Sequence, residues 1–317
     1  MNDYECGLFM NIVSLLPSAT EIICGIGLRD QLVGITHECD YPGSVQGLPI
    51  VTSSRIPKGL PSHEIDALVR GQLETDSALY SLDMEVLSAL EPDLIVTQAL
   101  CDVCAVSADE VTSVLCELPE NTQLINLEPT CLSDVLETIP VVGKAANREV
   151  ETQAYFEHLK QRVASVVERT ETIVGHLRPK VAILEWLDPL FDGGHWYPEL
   201  IEMAGGIPCF GSRDKPSCSR PWEDLTVASP EVILVSLCGF DLERTAQDMP
   251  FLVDHTGFSA LPAAKNNQVY MVDGNCYFSR PGPRLVDSLE ILANLLHPEV
   301  HPLPADIPVA TKWQVKN

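Results

Sequence analysis

Cys101 and Cys104 stand three positions apart in the run Leu100-Cys101-Asp102-Val103-Cys104, just past an apolar segment. Thiols at this spacing beside a helix start suit redox chemistry or soft-metal binding, because the helix N-terminus lowers a thiolate's pKa. A second ligand-rich run, His37-Glu38-Cys39-Asp40-Tyr41-Pro42, adds an imidazole and another thiol. His37, Cys39, Cys101 and Cys104 therefore form a candidate set for zinc or copper(I), with Cys238 as a further ligand. No second Cys-x-x-Cys completes a four-cysteine zinc site. Packing thiols and a turn held by Asx-type hydrogen bonds explain the same residues. A third use is Cys101 as a nucleophile with His37 or His195 as its base. Nucleophile elbow, Walker loop, dinucleotide fingerprint and zincin helix are all missing, so an enzyme is not the expectation.

The aromatic residues suggest a different chemistry. Only 6% of the chain is aromatic, yet Trp186, Phe191, Trp196 and Tyr197 crowd into thirteen residues from Glu185 to Tyr197. Such a patch at a strand exit would line an apolar pocket for a large planar ligand. Tyr41 and Phe278 would extend those walls. Arg280, in the run Tyr277-Phe278-Ser279-Arg280-Pro281-Gly282-Pro283-Arg284, would clamp an anion or amide, or form a structural ion pair.

These groups need a scaffold that gathers strand ends. Apolar runs at Asn11–Leu16, Leu32–Thr36, Leu94–Thr97 and Gln123–Leu127 read as strands, alternating with helices over Ser62–Leu73, Leu82–Leu90 and Ser133–Ala146. Ser18-x-x-Glu21 and Ser107-x-x-Glu110 read as capping boxes. After residue 176 the alternation restarts, with strands at Lys180–Trp186, Val232–Leu237 and Gln268–Val272 and helices over Pro198–Ala204, Leu242–Gln247 and Arg284–Leu296. The class is α/β. Pro92-Asp93-Leu94-Ile95-Val96 is echoed by Pro230-Glu231-Val232-Ile233-Leu234, and each run exits at Leu-Cys. Two similar lobes, 1–147 and 177–317, are expected from that echo, with ligands beyond the carboxyl ends of the strands. Between them, 148–176 holds no Pro and only Gly175, with apolar residues at helical steps. It reads as one rigid helix of nearly thirty residues.

The totals narrow the partners. Twenty Lys and Arg against 45 Asp and Glu give a net charge of −25, which disfavours nucleic acid and anionic membranes. No apolar run is long enough to span a membrane. Eleven cysteines, an odd number, do not read as a disulfide framework. The first residues lack a basic, then apolar, export signal, and Met10 is a second candidate start. Free thiols without a signal favour the cytoplasm.

Ser14-Leu15-Leu16-Pro17-Ser18-Ala19-Thr20-Glu21, the strand from Pro92 to Thr97, the mid-chain helix and the run from Trp196 to Gly206 resemble the cobalamin-binding, helical-backbone class of periplasmic binding proteins. The likeness extends from about Asn11 to His297. His-Glu-Cys-Asp-Tyr-Pro, Cys-Asp-Val-Cys-Ala and Cys-Gly-Phe-Asp-Leu-Glu-Arg-Thr place it in a bacterial subgroup. The resemblance implies two Rossmann-like lobes, a rigid connecting helix and a ligand held between the lobes, with no catalysis. Cobalamin, iron–siderophore, haem or bare metal are the cargoes it implies. The expected function is a cobalamin- or corrinoid-binding protein, acting as a cytoplasmic carrier or as an ABC-transporter-type substrate-binding protein. Trp186, Trp196, Tyr41 and Phe278 would wall the ring, with Arg280 and Ser18 as polar contacts and Cys101 or Cys238 near the cobalt. The alternatives are a zinc or soft-metal binder and a cysteine-dependent enzyme. An acceptor protein or transporter is the implied partner.

Overall fold

Ile12–Ser14 (β1), a short apolar strand, leads toward a proline that fixes where the first helix begins. Pro17 has no N–H to lose and its fixed φ suits a first helical turn, so the helix Pro17–Gly25 starts there with no side-chain cap. Ser18 consequently lies inside the first turn, and the expected capping box from Ser18 to Glu21 does not form. The computed structural model describes residues 9–74, 79–98 and 118–314. The second expected capping box, at Ser107, lies outside them.

The described residues divide into two compact units. The first comprises those of Met1–Gly59, Leu68–Glu128 and Glu137–Phe156, and the second those of Leu60–Ala67, Pro129–Leu136 and Glu157–Asn317. In the first unit, β1 pairs in parallel with Leu32–Gly34 (β2) and with the inner strand Leu94–Thr97 (β5), which also pairs in parallel with Gln123–Asn126 (β6). The order is β2-β1-β5-β6, and a separate antiparallel pair joins Thr52–Ser54 (β3) to Tyr80–Leu82 (β4). All four residues of β5 are buried, as expected of a strand covered on both faces. Val13, Leu15, Val51, Leu87, Ile95 and Leu118 form a core cluster on this unit's sheet.

The second unit repeats the plan with two added edges. Lys180–Leu187 (β7) and Val232–Val235 (β10) pair in parallel, and β10 pairs in parallel with Val269–Met271 (β11). Leu190–Asp192 (β8) and Thr311–Lys312 (β12) close the sheet as antiparallel edges, giving β12-β11-β10-β7-β8. Ile207–Pro208 (β9) pairs with the start of β7. The strands that echo each other in sequence, β5 and β10, occupy the same kind of place: inner, parallel to both neighbours and wholly buried.

The mid-chain helix is Glu149–Glu171, 23 residues and about 35 Å long. It is shorter than the sequence pattern suggested. Thr172-Ile173-Val174 is a β-branched run, stiff at χ1 and poor at continuing a helix, and Val174 is already extended before a single 3₁₀ turn at Gly175–Leu177. Among the described residues, no helix is long and apolar enough to cross a membrane.

Candidate functional site

In each unit the ligand-capable groups gather where the parallel strands end. In the first unit, β2 leads through Ile35 into Thr36-His37-Glu38-Cys39. The Cys39 Sγ lies 3.1 Å from both Thr20 Oγ1 and Thr36 Oγ1, which ties this loop to the helix Pro17–Gly25. His37 Nδ1 lies 2.8 Å from Thr52 Oγ1, and its ring packs on Tyr80. Burial pushes His37 below the ordinary imidazole range, despite Glu38 alongside, so the ring is neutral at pH 7. Both side chains are thus held by local hydrogen bonds. Among the described residues no group of three or more His, Cys, Asp or Glu is placed to hold a metal ion. Cys101 and Cys104 lie outside the described residues.

Ser18 is buried in the first helical turn, so it offers no exposed polar contact. Tyr41, which precedes the cis bond to Pro42, is 48% exposed.

In the second unit, β7 ends in Glu185-Trp186-Leu187, where its pairing with β8 shifts register between Leu184 and Trp186 and leaves Glu185 as the extra residue. Trp186 is half-buried, donates from Nε1 to the Asp188 carbonyl at 3.1 Å, and packs its ring 5.0 Å from that of Phe240. Phe240 follows the exit of β10, and the Arg244 guanidinium covers its ring at 4.3 Å. Arg244 is held in turn by Asp248 at 2.6 Å and by the Leu60 carbonyl. Cys238 is exposed between them, with its N–H on the Glu185 carbonyl at 3.3 Å. Arg280 reaches into the same loops and donates to Asn275 Oδ1 at 2.9 Å, while the Asn275 N–H binds the Phe240 carbonyl. The structure therefore brings Trp186, Cys238 and Arg280 to one sheet edge.

Trp196 and Phe278 take another role. Trp196 is 4% exposed and Phe278 fully buried, so neither ring forms a wall open to a ligand. Trp196 Nε1 donates to the Phe278 carbonyl at 2.7 Å, and Tyr197 lies stacked between the two rings. Phe278 holds φ at +70°, a costly value for a side chain of that size. Ser288 Oγ, which accepts its N–H at 2.8 Å, and Trp196 pin it there from both sides. These aromatics support the loop from beneath. Phe240 and Glu185, which the residue pattern did not single out, face the edge instead; the motif Cys-Gly-Phe-Asp-Leu-Glu-Arg-Thr just past β10 was the available signal for Phe240.

The family model "Periplasmic binding protein" matches residues 12–275. The chain belongs to that family. It is 24% identical over 291 residues to a vitamin B12-binding protein of Vibrio cholerae, covering 90% of this chain and 88% of that one. It is also 24% identical to an uncharacterized ABC transporter substrate-binding lipoprotein of Bacillus subtilis, over 91% and 80% of the two chains. A periplasmic heme binding protein from Pseudomonas aeruginosa shares the fold, with a TM-score of 0.72 at 15% identity over 97% and 99% of the chains. Membership makes the chain a non-enzymatic solute-binding protein of α/β type, which sets aside Cys101 as a catalytic nucleophile.

Proposed function

We propose that this protein is a substrate-binding protein of the ABC-transporter type whose ligand is cobalamin or a related corrinoid. The observation that carries the reading is the Trp186–Phe240 pair, two half-buried rings at the carboxyl edge of a parallel sheet and backed by Arg244. Open α/β sheets bind ligands at that edge, and flat aromatic surfaces suit a large ring system with polar margins. The vitamin B12-binding relative, matched over nine-tenths of this chain, supports the corrinoid class, and the substrate-binding lipoprotein supports delivery to a membrane transporter.

Titration with hydroxocobalamin, followed by calorimetry, tests the reading. Wild type binds one corrinoid per chain, and Trp186→Ala weakens binding by at least about 1 kcal/mol, as for a central aromatic anchor. No corrinoid uptake by wild-type protein overturns it.

A further inference from the structure

The sheet of the first unit is parallel throughout, so its strands begin together at the edge away from their carboxyl ends. A cleft of about 580 Å³ opens at that edge, beside β6. Its size falls within the range of about 300–1,000 Å³ usual for small-molecule sites. Gln123 and Ile125, two apart on β6, share one face of that edge strand. Val141, Lys144 and Ala145 stand at i, i+3 and i+4 on the helix Leu132–Ala145 and form one stripe facing the same space. Val135, Ile139 and Val142 bury another side of that helix in the core. Met10, ahead of β1, and Asn147, just past the helix, complete the lining.

The cleft is apolar along its walls and donor-rich at a few points. Val141 is 48% exposed, although the same helix buries its other branched residues. Lys144 carries the one charge of the lining, and it makes no ion pair or hydrogen bond with any described residue. In a chain with 45 acidic against 20 basic side chains, a lysine left without a carboxylate is the exception. Its place in the last helical turn suits the helix dipole but uses none of its three N–H donors. The side-chain amides of Gln123 and Asn147 are equally uncommitted, and each can donate. Asp93, on the strand between β1 and β6, spends its Oδ2 on the Asn11 N–H at 2.8 Å.

We propose that this cleft is a second binding site, for a small molecule with an apolar body and a single carboxylate head. The head meets the Lys144 ammonium, with the Gln123 and Asn147 amides as further donors, and the body lies on Met10, Ile125, Val141 and Ala145. A cationic head of the same size would face Lys144 as a like charge. The site is separate from the aromatic edge of the second unit and does not depend on the corrinoid reading.

The test titrates the full chain by calorimetry with decanoate and with decyltrimethylammonium, both below their micelle-forming concentrations. Lys144→Gln and Val141→Glu change exposed positions, so each should keep the wild-type thermal melt. Wild type should bind one decanoate per chain, at least about tenfold tighter than decyltrimethylammonium. Lys144→Gln should weaken decanoate at least about fivefold by removing the charge on its head. Val141→Glu should weaken it at least about tenfold by placing a carboxylate on the apolar wall. The Met10 methyl resonance, assigned by its loss in Met10→Leu, should move as decanoate is added. No decanoate uptake, equal affinity in all three proteins, or an unmoved Met10 signal overturns the site. Equal binding of decyltrimethylammonium overturns the ligand class, leaving an apolar groove that does not select anions. Self-association that Val141→Glu abolishes, without decanoate uptake by wild type, overturns the proposal by giving the cleft to a second copy of the chain.

Discussion

Trp196→Phe separates support from contact. The indole is buried, and its Nε1 is the donor to the Phe278 carbonyl at 2.7 Å. Phenylalanine keeps a ring in the stack between His195 and Tyr197 but cannot donate. A buried acceptor left without its donor costs about 1–3 kcal/mol. The smaller ring leaves roughly 40 Å³ unfilled, which at about 24 cal/mol per Å³ adds about 1 kcal/mol. The expected loss is thus about 2–4 kcal/mol, or a melting temperature lower by roughly 4–16 °C for a unit of this size. Thermal melts followed by circular dichroism read that number, and corrinoid titration of the folded variant reads the other half. Affinity should stay within about threefold of wild type, since the ring faces the core. A melt unchanged to within about a degree, together with a tenfold loss of corrinoid affinity, would show that Trp196 touches ligand and refute its assignment to the core.

Buried charge gives two further expectations. Arg162 pairs with Asp287 at 2.6 Å and grips Glu290 through Nη2 at 2.7 Å and Nε at 3.1 Å, tying the helix Glu149–Glu171 to the helix Leu285–Leu296. Arg162→Met strands two largely buried carboxylates and should cost about 1–3 kcal/mol in urea unfolding at pH 7; an unchanged midpoint would mean the pair is worth no more than a surface bridge. His301 is buried against Thr170, whose hydroxyl donates to the Met203 carbonyl at 2.6 Å and so must accept from the His301 Nε2–H at 3.1 Å. Burial first, then His297 and Arg169, hold this imidazole below 6.5, and its Nδ1 has no partner. The unfolded chain therefore takes up the proton first, so the neutral ring's contribution is complete above pH 6.5 and is lost as the pH falls through 6.5 toward the folded value. An NMR titration of the His301 ring should give a midpoint below 6.5, and one at or above it refutes the assignment.

Residue types were enough for the scaffold and not for the site. Leu94–Thr97 and Val232–Val235 declare themselves as inner strands because no charged residue interrupts them, and a strand covered on both faces tolerates none. The helix Ser62–Glu74 was equally plain from its apolar spacing. Edge strands such as β8 and β12, two or three residues each, carry too little pattern to register alone. The end of the long helix was hidden because Thr172-Ile173-Val174 continues the apolar spacing while resisting the helical backbone.

For the site, Trp186 and Trp196 look alike as letters, ten residues apart in one aromatic run. What separates them is which face of the packed unit each ring meets: the indole of Trp196 finds the Phe278 carbonyl inside the core, whereas that of Trp186 finds Phe240 at the sheet edge. Glu185 meets Ser217 and Tyr197, brought beside it by loops and a helix start distant in sequence. Local propensity and apolar period thus determine the α/β alternation and the doubled plan, since both act between near neighbours along the chain. Burial and hydrogen-bond partnership depend on what long-range packing sets against a side chain, and those alone decide which aromatics are buried beneath this edge and which stand half-exposed at it.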